Sequence, residues 1–383
     1  MEIYVGLLYM MSRTFDYTAI AQRVSARFPV LSYVMIQINF WIMANIFLGI
    51  LMHLQALSIG AAFKLERLSR LGPIIFLAVI LGVLYGICLG LTDNFLDRNI
   101  FKKQPLGRII LLKTSISFLV LTGLVALIRF VFFNAIIATP SYKMDFTMNG
   151  RSWEYFFYVL LLYYFVMTLV INFINQVNKK YGPGILIPLL LGKYRNPREE
   201  ERIFLFMDLK SSTSIAEKLG HLQYSAFIRD SFSDINQVLA AFNVQVYQYV
   251  GDEIVVMWNV RDGLKDFACI RFFFACEKQF YHRGQYYAEQ YGFLPQFKAG
   301  AHMGVVTAVE IGDVKRDIAY HGDTLNTAAR IQGVCNYYGK KFLVSDFLLQ
   351  QVDPAHELVT TDLGLIQLRG KITKVDIWSV EDF

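Results

Sequence analysis

The sequence predicts an α-helical transmembrane bundle followed by an α+β domain, and three observations carry that prediction. Long apolar stretches crowd the first half, strand-like and helix-like patterns alternate in the second, and a Gly/Pro-punctuated charge cluster separates them. A chain of 383 residues that is 55% hydrophobic, with a mean hydropathy of +0.39, is too apolar to be soluble throughout and has room for two domains.

The N-terminal segment, residues 1–29, opens with Glu2 and lacks a basic region ahead of a small-residue cleavage site. No removable signal peptide is predicted, and the first span serves as its own insertion signal. The transmembrane domain, 30–177, holds spans over 30–54, 73–91, 109–133 and 155–177, each near the ~20 apolar residues that cross a bilayer. Lys113 and Arg129 fall near the ends of the third span, where long basic side chains reach the headgroups. Four spans put both termini on one side. Assigning that side to the cytoplasm places Arg13, Arg23, Arg27, Arg98, Lys102, Lys103, Arg108, Lys179 and Lys180 inside. Lys64, Arg67, Arg70, Lys143 and Arg151 then lie outside, the bias of a protein in a bacterial inner membrane.

Gln37, Asn39, Asn45, Asn172 and Asn175 read first as polar groups that bond neighbouring helices. His53 has no second intramembrane histidine to share a haem or metal. Cys88, Cys269, Cys276 and Cys335 form no CxxC pair, which fits a reducing compartment and no structural zinc. The net charge of +6 is spread through loops without a Lys/Arg block, so no nucleic-acid partner is predicted.

A linker over 178–201 carries Gly182, Pro183, Gly184 and most of the charged run Arg198 to Arg202, whose last residue opens the next domain. Its apolar stretch 185–191 is too short to cross and is read as a coupler between the two halves. The second domain, 202–383, is predicted as a strand to Asp208, a helix over 214–239, a hairpin over 244–260 and a helix over 264–289. A second hairpin over 297–311, a helix over 324–337 and short strands complete an antiparallel-rich sheet with helices.

Two aspartates carry the chemistry. Asp208 closes the apolar run Ile203-Phe204-Leu205-Phe206-Met207, and Asp252 sits in a tight Gly-Asp turn between two β-rich runs. Either alone reads equally as a helix cap or a turn residue. Together, a strand-end carboxylate and a turn carboxylate suit one pair of hard cations, and so nucleotide chemistry.

Three motifs resemble class III nucleotide cyclases. Phe206-Met207-Asp208-Leu209-Lys210-Ser211-Ser212-Thr213 resembles the first metal motif of that family, and Val250-Gly251-Asp252-Glu253 the second. His321 to Ile331 resembles the Asn-x-x-x-Arg helix, with Asn326 and Arg330. The resemblance covers nearly all of 202–383 and implies a ferredoxin-like palm core that forms a 3′,5′-cyclic nucleotide from a nucleoside triphosphate. It implies two Mg²⁺ (or Mn²⁺) ions held by Asp208, Asp252 and the Leu209 carbonyl. It assigns Asn326 to the ribose, Arg330 to the pentacovalent α-phosphate and Lys371 to the terminal phosphates. The i, i+4 spacing places Asn326 and Arg330 on one helix face. In the family the aspartates and the Asn/Arg pair come from different catalytic domains, so a homodimer is implied.

The base-selecting positions depart from the family. Adenylyl cyclases usually carry Lys, and Asp, Thr or Ser, where this chain has Gln248 and Ala319. Guanylyl cyclases usually carry Glu at the first position. A Gln amide both donates and accepts, whereas Ala319 offers nothing polar. ATP is the first expectation, with GTP and the pyrimidine triphosphates as alternatives. Two other classes of function stand beside this one: a catalytically degenerate cyclase-like scaffold, and a transporter with a regulatory domain.

Overall fold

The computed structural model describes residues 29–64, 70–99, 106–132, 150–181, 192–313, 316–352 and 358–382. The segment 1–28 and the coupling run 185–191 lie outside the described residues. So do Arg13, Arg23, Arg27, Arg67, Lys102, Lys103 and Lys143 of the predicted topology. The side chains of Arg98, Arg129, Arg151, Lys179 and Lys180 are likewise not described. The chain divides into two compact units.

The first unit consists of α1 (Pro29–Phe63), α2 (Leu71–Asn99), α3 (Leu106–Phe132) and α4 (Gly150–Tyr181). Four stretches are long and apolar enough to cross a membrane: Val30–Ala62, Leu71–Leu96, Gly107–Ala126 and Glu154–Val177. Small residues let α1 and α2 approach closely. A Cβ at Gly86 would lie 2.3 Å from Ile38 Cα, and one at Gly82 2.5 Å from Ile42 Cα. Trp41, Tyr85 and Tyr164 pack ring to ring in the bundle core.

Of the five amides predicted to bond neighbouring helices, Asn45 and Asn172 do so, whereas Gln37 Nε2 donates to Tyr33 of its own helix. Tyr164 donates to Asn45 Oδ1 at 2.8 Å, and Asn172 Nδ2 donates to Thr114 Oγ1 at 3.3 Å. Asn39 is exposed. One expectation is corrected: Lys113 is 1% exposed and enclosed by the bundle, not extended to a headgroup. Thr114, Ser117, Asp93 and Asn172 are also buried, so Lys113 belongs to a polar interior, where charge inside a membrane helix is better solvated than against lipid.

The second unit is an eight-stranded sheet with helices. Its elements are β1 (Arg198–Leu209), α5 (Ser212–Leu239), β2 (Gln245–Val250), β3 (Glu253–Asn259), α6 (Val260–Leu264), α7 (Ala268–His282) and α8 (Gly284–Tyr291). There follow β4 (Phe297–Ile311), β5 (Asp317–His321), α9 (Asp323–Gly333), α10 (Cys335–Tyr338), β6 (Phe342–Ser345), α11 (Asp346–Val352), β7 (Val359–Ile366) and β8 (Val375–Glu381). The strand order is β2-β3-β1-β4-β6-β8-β7, with β5 paired to β4. Every pairing is antiparallel except β4 with β6.

The period of two sorts β1 between two cores. Ile203, Leu205, Met207 and Leu209 enter the larger one with Phe227, Trp258, Phe272 and Phe273. Phe204 and Phe206 face the other side, packing with Val255, Met257, Val306, Tyr320 and Ala328. Asp208 follows in that second series, at the end of the strand.

Three predicted elements differ from those observed. β1 begins at Arg198, inside the predicted linker, because its charged outer half pairs with β4 and Arg202 bonds Glu200 and Asn259. The hairpin predicted over 297–311 is instead the single strand β4, whose hairpin partner is β5. Gly300 and Gly304 do not turn the chain; they admit α9, since a Cβ at Gly304 would lie 2.6 Å from Thr324 Oγ1. The helix predicted over 264–289 is divided at Arg283, which has φ −96° and ψ 19°.

Candidate active site

β1 delivers Asp208 near the end of a central strand, where register sets its neighbours. Glu253 of β3 lies opposite on one side and Lys298 of β4 on the other. Lys298 Nζ is 3.1 Å from Asp208 Oδ2, and Gln332 Nε2 of α9 donates to the same oxygen at 3.2 Å. Asp252 occupies the two-residue turn joining β2 to β3, closed by the Val250 and Glu253 pair. Gly251 there has φ +61°, a conformation that glycine adopts without strain and that matches the twist of a tight hairpin.

Electrostatics shows that the two aspartates share a neighbourhood. Burial, and then the charges of Asp208 and Asp252, push the Glu253 carboxyl up to about 7, with Lys298 opposing. Tyr224 of α5 is also pushed up, by desolvation first and then by Asp252 and Asp208. Leu209 has its side chain buried, so only its main chain is available to the site. Ser211, at φ 59°, turns the chain directly into α5, whose first turn carries no acidic residue. That N-terminus adds unpaired main-chain donors close in sequence to Asp208.

A second cluster lies on α9. Asn326 is exposed and Arg330 half-buried, while Thr324, Thr327, Ala328, Ile331 and Gln332 face inward. Lys371 Nζ is 2.7 Å from both Asp323 Oδ2 and Thr327 Oγ1. Arg330 lies beside Gly370, so the guanidinium and the ammonium flank the same helix. Among the described residues no hydrogen bond or ion pair joins Asn326 or Arg330 to Asp208 or Asp252.

Gln248 and Ala319 each adjoin in the chain one of a contacting tyrosine pair, Tyr247 and Tyr320. Gln248 is exposed on β2 at a bulge, opposite Val255. Ala319 is 9% exposed on β5, opposite Val309. Tyr247 and Tyr320 pack edge to face, 5.4 Å apart, and stand in the core against Phe204. Sequence reasoning missed Glu253, Lys298, Gln332 and Tyr224. Glu253 adjoins Asp252 in the chain, a local signal; the other three reach the site only through strand register and helix packing.

The residues fit a pair of hard divalent cations. Two carboxylates and a main-chain carbonyl are oxygen donors of the kind such cations take. Among the described residues no group of three or more His, Cys, Asp or Glu converges as a metal cage.

Comparison with known proteins places this unit. A family model described as the adenylate and guanylate cyclase catalytic domain matches residues 195–381. Adenylate cyclase 2 of Rhizobium meliloti is 34% identical over 221 residues, 58% of this chain and 61% of the relative. Adenylate cyclase 1 of the same organism is 27% identical over 186 residues, 47% of this chain and 27% of the relative. The chain thus spans 61% and 27% of the length of these two curated relatives. A crystal structure of an adenylyl cyclase from P. aeruginosa aligns with TM-score 0.43 and 17% identity, covering 49% of this chain and 97% of that one.

Proposed function

Because residues 195–381 belong to the adenylate and guanylate cyclase catalytic-domain family, we propose that this chain is a membrane-anchored class III nucleotidyl cyclase. It converts a nucleoside triphosphate, ATP first, to the 3′,5′-cyclic nucleotide and pyrophosphate at sites shared by two copies. The observation that carries this reading is the division of the motif residues. Asp208 and Asp252 gather at one end of the sheet, while Asn326 and Arg330 occupy the outer flank of α9 without a bond to them. Such complementary halves are completed by a second copy related by a two-fold axis.

In this reading Asp208, Asp252 and the Leu209 carbonyl hold two Mg²⁺ or Mn²⁺ ions, which lower the pKa of the attacking ribose hydroxyl and neutralise the triphosphate. Asn326 orients the ribose, and Arg330 stabilises charge that develops on the α-phosphate. Lys371, already fixed by Asp323 and Thr327, presents its ammonium to the outer phosphates. The relatives named adenylate cyclase favour ATP. Gln248 addresses the base with an amide, and Ala319 adds no polar group, which keeps GTP and the pyrimidine triphosphates as alternatives.

The four apolar helices anchor the chain in a bacterial inner membrane with both termini cytoplasmic, and 178–201 couples them to the catalytic domain. The test is cyclic-nucleotide production by the purified chain from ATP, GTP, CTP and UTP separately, with Mg²⁺ and with Mn²⁺. One cyclic product, absent in Asp208→Ala and Arg330→Ala, supports the reading. No product from a folded dimer supports a degenerate, non-catalytic module.

A further inference from the structure

Helix α9 touches the metal half of its own chain as well as carrying the Asn/Arg half. Gln332 follows Arg330 by two positions and is 6% exposed. Two positions turn an α-helix by roughly 200°, so Gln332 points to the sheet when Arg330 points away from it. Its main chain rests on Gly300: a Cβ built there would lie 2.2 Å from Gln332 N and 2.6 Å from Gln332 Cα. That seat fixes the reach of the amide, which donates to Asp208 Oδ2 at 3.2 Å. Lys298 holds the same oxygen from β4.

We propose that Gln332 is a positioning residue that sets the Asp208 carboxylate of its own chain, so that α9 serves two sites at once. Its inner face supports the metal half of its own protomer, and its outer flank supplies Asn326 and Arg330 to the partner's. This assignment rests on the shared-site reading above. A neutral amide is suited to the task because it restrains the carboxylate without adding a charge that competes with a cation. A ligand already held by two donors loses less rotamer freedom when the ion binds.

The test uses Gln332→Met, which keeps length and burial and removes the donor. In the nucleotide-free full-length protein, Mn²⁺ binding read by electron paramagnetic resonance of the free ion should weaken about tenfold, as for lost partners of metal ligands. A second readout separates the two roles of α9. Mixed dimers of an Asp208→Ala chain with an Arg330→Ala chain keep one complete site. Gln332→Met on the Arg330→Ala chain, whose Asp208 serves that site, should raise the Mn²⁺ half-saturation about tenfold. On the Asp208→Ala chain it should not move that half-saturation. Equal effects from both placements, or unchanged Mn²⁺ affinity in the Gln332→Met homodimer, overturn the assignment. A mixed pair that recovers no activity overturns the shared site itself.

Discussion

Gly300→Ala adds one methyl group beneath α9. The new Cβ would stand 2.2 Å from Gln332 N, 2.6 Å from Gln332 Cα and 2.7 Å from Ala328 O. All three atoms are main chain, so no side-chain rotation relieves the clash. Ordinary contact begins at 3.4 Å, and the helix must therefore lift by about 1 Å to restore van der Waals spacing. Overpacking of this kind costs ~1–3 kcal/mol, and a rigid neighbour puts it at the upper end. At ~2–4 °C per kcal/mol for a domain of this size, the melting temperature should fall by about 6–12 °C. Asn326 and Arg330 ride on the same helix, and a displacement of ~1 Å costs on the order of 100-fold in turnover. Melting is read in the full-length detergent-solubilised chain by reaction of the buried thiols Cys269, Cys276 and Cys335 with a dye, and turnover by cyclic-nucleotide release. A variant that melts within about 1 °C of the parent and turns over within about twofold refutes the argument that Gly300 seats α9.

Further consequences follow from three other positions. Lys371→Met should raise the KM for the triphosphate about tenfold, the loss of one charge-assisted bond, with little change in melting because Asp323 is largely exposed; an unchanged KM would leave Lys371 as a clamp on α9 alone. Burial, followed by the charge of Lys371, pushes His302 down to about 4, below its ordinary 6.5. Its contribution to stability is therefore present above pH 6.5 and is lost as the pH falls toward 4. Denaturation midpoints of the parent and His302→Gln should converge across that window, since the glutamine binds no proton, and parallel curves would contradict the assignment. Gly86→Val should separate α1 from α2, because its Cβ meets Ile38 Cα at 2.3 Å; loss of a disulfide trapped between cysteines placed at 42 and 82 would report it.

The parts of this protein that were legible in the sequence are those whose signals are local. A strand that ends in Asp208, a Gly-Asp turn at 251–252 and an i, i+4 pair on α9 are each written within a few residues. The four apolar helices follow from length and hydropathy alone. What was misread depends on neighbours distant in the chain. The stretch 297–311 reads as a hairpin until α9 is laid across Gly300 and Gly304, which lie within one continuous strand. Lys113 reads as a span-end lysine reaching the headgroups until the bundle gives it an inward direction, which hydropathy does not encode. Lys298 and Gln332 have no sequence signature at all, because one reaches Asp208 through the β1–β4 register and the other across 124 residues.

In the proposed dimer each cyclase site is assembled from two chains. Purified Asp208→Ala and Arg330→Ala chains, each incubated alone with ATP and Mn²⁺, should form no cyclic AMP. Dissociated and reassembled together, they should recover about a quarter of the parent's rate, because half the dimers are mixed and each of those keeps one of two sites. No recovery from a mixture shown to contain mixed dimers would contradict the shared site, as would undiminished activity in either variant alone.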